Sequence, residues 1–175
     1  MCLLTNNKNS KVAKKPIRCM KIVSAITENG ETRYMSFYGF DGTLEYKIGE
    51  TISMNPEGTH KKLRSAVIPQ FSQSGDMHYR VGPGIHTFLP EANGVRSLYE
   101  WGKKDLIWNG DSSSIKIAVL ECEIPAKARY FEGIATCFNK GSGVDEHGYV
   151  SNKLHVIRAL TEEEIEKMEF VDIEY

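Results

Sequence analysis

The sequence predicts an α+β fold with a mainly antiparallel sheet and few helices. Most apolar segments have the length of strands, short turn sequences such as Asn29-Gly30 separate them, and only two segments show a helical pattern. Strands that follow one another through turns indicate antiparallel pairing, because a parallel sheet needs a long crossover between successive strands. The length of 175 residues and the hydrophobic content of 41% suit one domain with a substantial core.

Residues 1–17 are polar and lysine-rich, and we predict a basic arm that precedes a single α+β domain over 18–175. The first strand of this domain is expected at 18–27. The pair Asn29-Gly30 follows it and favours a tight hairpin, since both residues tolerate positive φ. The remaining segments of strand-like composition are 32–38, 44–48, 51–54, 84–88, 115–124, 127–137 and 149–160.

Two helices are expected. One covers 91–103, and the other begins after Thr161, the predicted N-cap, where Glu164 completes a capping box. The segment 84–133 therefore has the order strand, helix, strand, which can form the wall of a ligand cleft. Within it, the middle of 115–124 is apolar on both faces, as a central strand would be.

The charges are nearly balanced, at −1 overall, so composition gives no reason to expect a nucleic-acid partner. Their distribution is uneven, because six basic residues and no acidic one precede Glu28, whereas seven acidic residues follow Leu160. Two interpretations remain open: solvated ends that attract each other, or a basic arm that contacts phosphates. No apolar run has the length of a membrane-spanning helix or a signal peptide. We therefore expect no membrane partner and a cytoplasmic location.

The sequence contains no complete catalytic motif. The five histidines are scattered and the four cysteines form no Cys-x-x-Cys pair, so neither a metal nor a cofactor is expected. Glu121, Glu123 and Asp145 are candidates for an acid or base, and Cys2 would become an N-terminal nucleophile if Met1 were removed. Each of these residues can equally have a structural role without any part in catalysis. We therefore expect a binding domain in preference to an enzyme.

Aromatic residues are the other candidate surface. Aromatic side chains usually belong to the core. The alternative is that they form a surface on which a nucleotide base or a nicotinamide ring stacks. The residues are Tyr34, Phe37, Tyr38, Tyr79, Phe88, Tyr99, Trp101 and Trp108.

Six short motifs carry a resemblance that extends over most of the chain. They are Met1-Cys2-Leu3, Lys11-x-Ala13, Ile17-x-Cys19-x-Lys21, Tyr46-Lys-Ile-Gly49, Gly84-Ile-His-Thr-Phe88 and Tyr149-Val-Ser-Asn-Lys-Leu154. Together they resemble a family of uncharacterised proteins from Bacteroides-type gut bacteria and their bacteriophages. The resemblance implies an origin, and in a phage such a domain could act against host defence by sequestering a signal nucleotide or by blocking a protein.

A second resemblance concerns mechanism. The layout of Gly84–Phe88, the helix that carries Tyr99 and the strand Ile117–Glu123 is similar to the catalytic domain of the poly-ADP-ribose polymerases. In that family a tyrosine stacks on nicotinamide and a late strand carries the catalytic glutamate. Here His86 matches the tyrosine of the first motif, and the late strand around Asn152 has no glutamate. The resemblance therefore implies an ADP-ribosyltransferase-like fold without its chemistry.

On this basis we expect a cleft lined by Tyr38, His86, Tyr99 and Asn152 that binds a nucleotide-type small molecule or a host protein. One alternative is an active ADP-ribosyl transferase or hydrolase, in which one of the three carboxylates above replaces the missing glutamate. Another is a structural or virion-associated interaction protein, which an exposed apolar patch or a stable homo-oligomer would indicate.

Overall fold

The structure is a computed structural model that describes residues 3–36, 44–54, 69–71, 77–81, 84–108, 115–135 and 147–171. Within these ranges, 13 strands form one sheet in which every pairing is antiparallel. Two helices accompany the sheet. The predicted class, α+β with a mainly antiparallel sheet, is confirmed. The predictions for Cys2, Tyr38 and Asp145 lie outside the described residues.

The described residues form 13 strands, most of which are short, and two helices. They are β1 (Leu3–Thr5), β2 (Lys11–Val12), β3 (Ile17–Glu28), β4 (Glu31–Ser36), β5 (Glu45–Tyr46), β6 (Thr51–Ser53), β7 (Pro69–Phe71), β8 (Met77–Val81), β9 (Ile85–Phe88), α1 (Gly94–Trp108), β10 (Ile115–Ile124), β11 (Arg129–Ala135), β12 (His147–Ser151), β13 (Lys153–Ala159) and α2 (Glu162–Glu166). The strand order is β6-β13-β10-β3-β9-β12-β11-β1-β8-β7, with β2 on β11, β4 on β3 and β5 on β4.

The pair of β3 and β10 is the centre of this sheet. The two strands are in register from Ile17 opposite Ile124 to Ile26 opposite Ile115. As predicted, β10 is a central strand, with β3 on one side and β13 on the other. The expected hairpin after β3 is also present, because Asn29 and Gly30 have φ values of 52° and 81° and β4 returns along β3.

The sheet curves until distant strands meet. In the strand order, β12 and β13 are four strand spacings apart, about 19 Å in a flat sheet. A single residue, Asn152, nevertheless joins the end of β12 to the start of β13. The two strands can be connected in this way only because the sheet bends round one of its faces, which we call the inner face.

Each face of the β3–β10 pair has its own core. On the inner face, Cys19, Val23 and Leu120 pack with residues of β9 and β13 that the curvature brings close. On the opposite face, called the helix face, Met20 and Val119 pack in one cluster with the buried residues of α1. The expected order of strand, helix and strand at 84–133 thus places α1 over the sheet as part of a core.

Three segments differ from their predictions. A single strand was expected over 149–160, but the chain turns at Asn152 and its two parts pair with different neighbours. The predicted arm contributes β1 and β2, which pair with β11. The strands β7 and β8 were not predicted, because their sequence is interrupted by polar residues and Pro69. The capping box of α2 is present as predicted, with Thr161 and Glu164 bonded reciprocally.

Gly148 lies in β12 opposite Phe88, where β9 approaches so closely that a Cβ atom would overlap the backbone carbonyl of Thr87. We expect Gly148→Ala to lower the free energy of unfolding by at least about 2 kcal/mol, because the neighbouring backbone has to move. Urea titration would measure this loss. Gly49→Ala is the control, since a Cβ there meets open space and only the positive φ of 82° opposes it, at about 1 kcal/mol. Equal losses for the two variants would contradict the packing argument.

Candidate functional site

His86 and Tyr99 lie on the same side of the sheet, the helix face. His86 is two residues from Phe88 in β9, and alternation along the strand puts both side chains on one face. Phe88 and Tyr99 belong to the same buried cluster. Both predicted site residues are enclosed, with 5% of His86 and 3% of Tyr99 exposed. Tyr99 lies within the packing between α1 and the sheet.

The hydroxyl of Tyr99 connects the two helices. It donates a hydrogen bond of 3.2 Å to Oε1 of Glu162 at the start of α2, and the ammonium group of Lys103 lies 5.0 Å from the centre of its ring. Burial, and secondarily the negative charge of Glu162, raises the pKa of Tyr99 to about 12. The phenol is therefore neutral at physiological pH and attaches α2 to α1.

Asn152 maintains the turn between β12 and β13. Its Oδ1 accepts a hydrogen bond of 2.9 Å from the backbone N–H of Arg129, and its own N–H donates to the Arg129 carbonyl at 3.1 Å. Its carbonyl accepts a bond of 2.9 Å from the N–H of Met54. The structure thus brings His86 and Tyr99 to one face, while Asn152 lies at the end of the sheet.

The carboxylate candidate Glu121 belongs to a chain of ion pairs. Its Oε1 lies 2.6 Å from Nη2 of Arg18, and its Oε2 lies 2.8 Å from Nε of Arg158. Arg158 also pairs with Glu164 of α2 at 2.9 Å. The carboxylate of Glu121 is only 10% exposed, and both of its oxygens are bound by guanidinium groups. Glu123 is on the same face of β10, opposite Arg18 and His155.

A different set of residues is both exposed and charged. The connection at 13–16 and the turn at 125–128 are joined by two backbone bonds, from the N–H of Ala13 to the Ala128 carbonyl at 2.9 Å and from the N–H of Lys127 to the Ala13 carbonyl at 2.8 Å. Arg129 follows and is bonded to Asn152 on its other side. Three chain segments therefore lie side by side at one end of the sheet, across about 10 Å or two strand spacings.

These three segments carry five exposed cations, which we call the basic end: Lys14, Lys15, Lys127, Arg129 and Lys153. The segments themselves contain no acidic residue, and among the described residues none of the five cations forms an ion pair. Nearby, Glu132 is already paired with Lys11 at 2.9 Å. A group of unneutralised cations on a fixed backbone produces a positive potential that attracts phosphates.

The backbone of Lys127 has an unfavourable conformation. Its φ is 68°, in the left-handed region that glycine or asparagine occupies at lower cost. A lysine there costs about 1 kcal/mol, and such strained positions concentrate at functional sites. The tip of this turn therefore carries a cation at a position where glycine or asparagine would be more stable.

No matching family model, curated protein or solved structure was found in comparisons of this chain with known proteins. Among the described residues, no three histidine, cysteine, aspartate or glutamate side chains come together as metal ligands. No helix in the described part of the chain is long and apolar enough to cross a membrane.

Sequence reasoning identified only part of the basic end. The excess of lysines near the N-terminus was visible and suggested contact with phosphates, but Lys127, Arg129 and Lys153 were not grouped with it. They are more than a hundred residues away along the chain and meet Lys14 and Lys15 only through the pairing of β2, β11 and the Asn152 turn. The one local sequence feature that pointed to this site was the positive charge of Lys127 at the tip of a turn.

The ion pair between Arg158 and Glu164 makes stability depend on pH. The Arg158 guanidinium, followed by the Thr161 backbone N–H, lowers the pKa of Glu164 to about 2 from an ordinary value near 4.3. A depressed folded-state pKa gives stability that is complete above the unfolded value and is lost as pH falls towards 2. We therefore expect the Tm of the wild type to fall more steeply between pH 4.5 and 2 than that of Glu164→Gln.

Differential scanning calorimetry across this pH range would measure the difference. Glutamine at the third helical position preserves the capping box, so the comparison isolates the charge. Glu163→Gln is the control, because it removes a neighbouring carboxylate that pairs with Lys167 and not with Arg158. The same pH dependence in the wild type and Glu164→Gln would contradict the assignment.

Proposed function

We propose that this protein is a non-enzymatic binding domain for a nucleotide-type ligand, and that the basic end holds the phosphates of that ligand. The observation that carries the proposal is the group of five cations at one end of the sheet, none of which has a carboxylate partner in the part of the chain that the structure describes. Lysine and arginine bind phosphate through charge-assisted hydrogen bonds, and here the backbone that carries them is already fixed.

The place of binding differs from the aromatic cleft expected from the sequence. His86 and Tyr99 are both buried, so a ligand could reach either side chain only if the residues around it moved. The side chains of Lys14, Lys15 and Lys127 are exposed without any rearrangement. Of the predicted residues, Asn152 supports the basic end directly, through its hydrogen bonds with Arg129.

The proposed likeness to the ADP-ribosyltransferase fold is compatible with this ligand class, because NAD and ADP-ribose both contain a diphosphate. An active transferase or hydrolase has weaker support. Glu121, one of the candidate replacements for the missing glutamate, has both carboxylate oxygens in ion pairs with Arg18 and Arg158. A general base would need a free oxygen within hydrogen-bond reach of the substrate.

Neutralising three lysines of the basic end should weaken ligand binding. We expect the triple substitution Lys14→Gln, Lys15→Gln and Lys127→Gln to reduce affinity by roughly tenfold or more, since each lost contact between charge and phosphate removes about 0.5–1 kcal/mol. The measurement is a thermal-shift titration with NAD, ADP-ribose and a cyclic dinucleotide. At 100 times its dissociation constant, a ligand stabilises the wild type by about 2.7 kcal/mol.

A second triple substitution controls for net charge. Lys47, Lys104 and Lys116 are exposed lysines on other parts of the structure, and their replacement by glutamine removes the same three charges. We expect this variant to bind like the wild type. Binding to the wild type should also weaken as salt rises from 50 to 200 mM. The proposal is wrong if no ligand raises the Tm, or if the two triple variants lose affinity equally.

A further inference from the structure

Cys19 and Cys122 are neighbours in the central pair of strands. Cys19 lies in β3 and Cys122 in β10, and the register places the two residues directly opposite each other. Directly opposite residues in an antiparallel pair have their side chains on the same face, here the inner face. Both cysteines are free and fully buried.

The separation of these residues suits a covalent bond. Opposite residues in antiparallel strands have Cα atoms about 4.5–5.5 Å apart, depending on whether the pair is hydrogen-bonded. Disulfides span Cα distances of about 4.4–6.8 Å. A bond between the two sulfur atoms therefore requires rotation of the side chains but no separation of β3 from β10.

The surroundings of the two thiols make them slow to react in the folded protein. Burial raises the pKa of Cys19 to about 12 and holds the pKa of Cys122 well above its ordinary value. The charge of Lys21, which is buried in the same region, opposes this effect at both thiols. Because the thiolate is the reactive form, exchange with an external disulfide is slow while the two thiols are buried. It becomes fast before the strands have paired, or when they open.

We propose that Cys19 and Cys122 are an oxidative modification site, at which a disulfide forms between β3 and β10. One thiol loses its proton and attacks the sulfur of a low-molecular-weight disulfide such as oxidised glutathione, which releases one glutathione thiolate. The second thiol then loses its proton and attacks the mixed disulfide, which releases the other. Two protein thiols become one disulfide, and the two electrons reduce oxidised glutathione to two thiols.

The site lies just below the basic end but does not depend on the proposed function. Cys19 is two positions from Ile17, where β3 begins after Lys14 and Lys15. Cys122 is two positions from Ile124, where β10 ends before Lys127. The bond would therefore fix the strand ends from which these lysine-bearing segments extend, about 7 Å away along each strand.

The experiment uses the full chain with Cys2→Ser and Cys137→Ser, so that only the two buried thiols remain. The protein is refolded from urea in glutathione buffers of different redox ratio, quenched in acid, alkylated and analysed by mass spectrometry. We expect a product that carries no alkyl group and is roughly 2 Da lighter than the unalkylated dithiol chain, and a digest in which the peptide of Cys19 is joined to that of Cys122. The disulfide should persist in buffers where most glutathione is reduced, because folding holds the two sulfur atoms together.

A register variant tests whether the fold directs this bond. In the same background, Cys122→Ala combined with Ala118→Cys keeps two thiols on the inner faces of the same strands but shifts one of them by four positions, about 13 Å. We expect this variant to fold, as judged by circular dichroism, and to form no internal disulfide. The proposal is overturned if Cys19 and Cys122 are alkylated or carry only glutathione at every redox ratio. It is equally overturned if the register variant forms its disulfide as readily.

Discussion

The pairing of β3 with β10 is the constraint on which the rest of the structure depends. These are the two longest strands in the described ranges, and their register fixes which residues face α1 and which face the concave side of the sheet. Met20 and Val119 consequently pack with the helix, whereas Cys19 and Leu120 form the inner core. The segments at 13–16 and 125–128 are adjacent for the same reason, because they continue from neighbouring ends of this pair.

Electrostatic contacts attach the C-terminal helix to this centre. Glu121 in β10 binds Arg158 in β13, and Arg158 binds Glu164 in α2. Tyr99 makes a second attachment, from α1 to Glu162. Together these contacts account for several charged residues whose positions in the sequence suggested either catalysis or a solvated surface. Five exposed cations that form no ion pair among the described residues lie together where three segments meet, and this proximity is what makes the basic end a candidate site.

The sequence predicts those parts of the fold that local chemistry determines. The turn at Asn29-Gly30, the capping box at Thr161 and the central position of 115–124 follow from residue preferences within one short segment. The break at Asn152 could not be predicted in this way, because it depends on a hydrogen bond to Arg129, a residue distant in sequence. The candidate site has the same limit: its lysines were visible individually, but their proximity is a property of the topology.

The long separation along the chain between β3 and β10 has a consequence for biosynthesis. Ile17 is paired with Ile124, roughly a hundred positions later, so the central pair cannot form until most of the chain has left the ribosome. At a synthesis rate of about 5–20 residues per second, the apolar strand β3 waits roughly 5–20 s for its partner β10. Such non-local pairing slows folding and exposes the nascent chain to association with other chains. Chaperone binding to the newly made first half would protect the strand on which the whole sheet is later assembled.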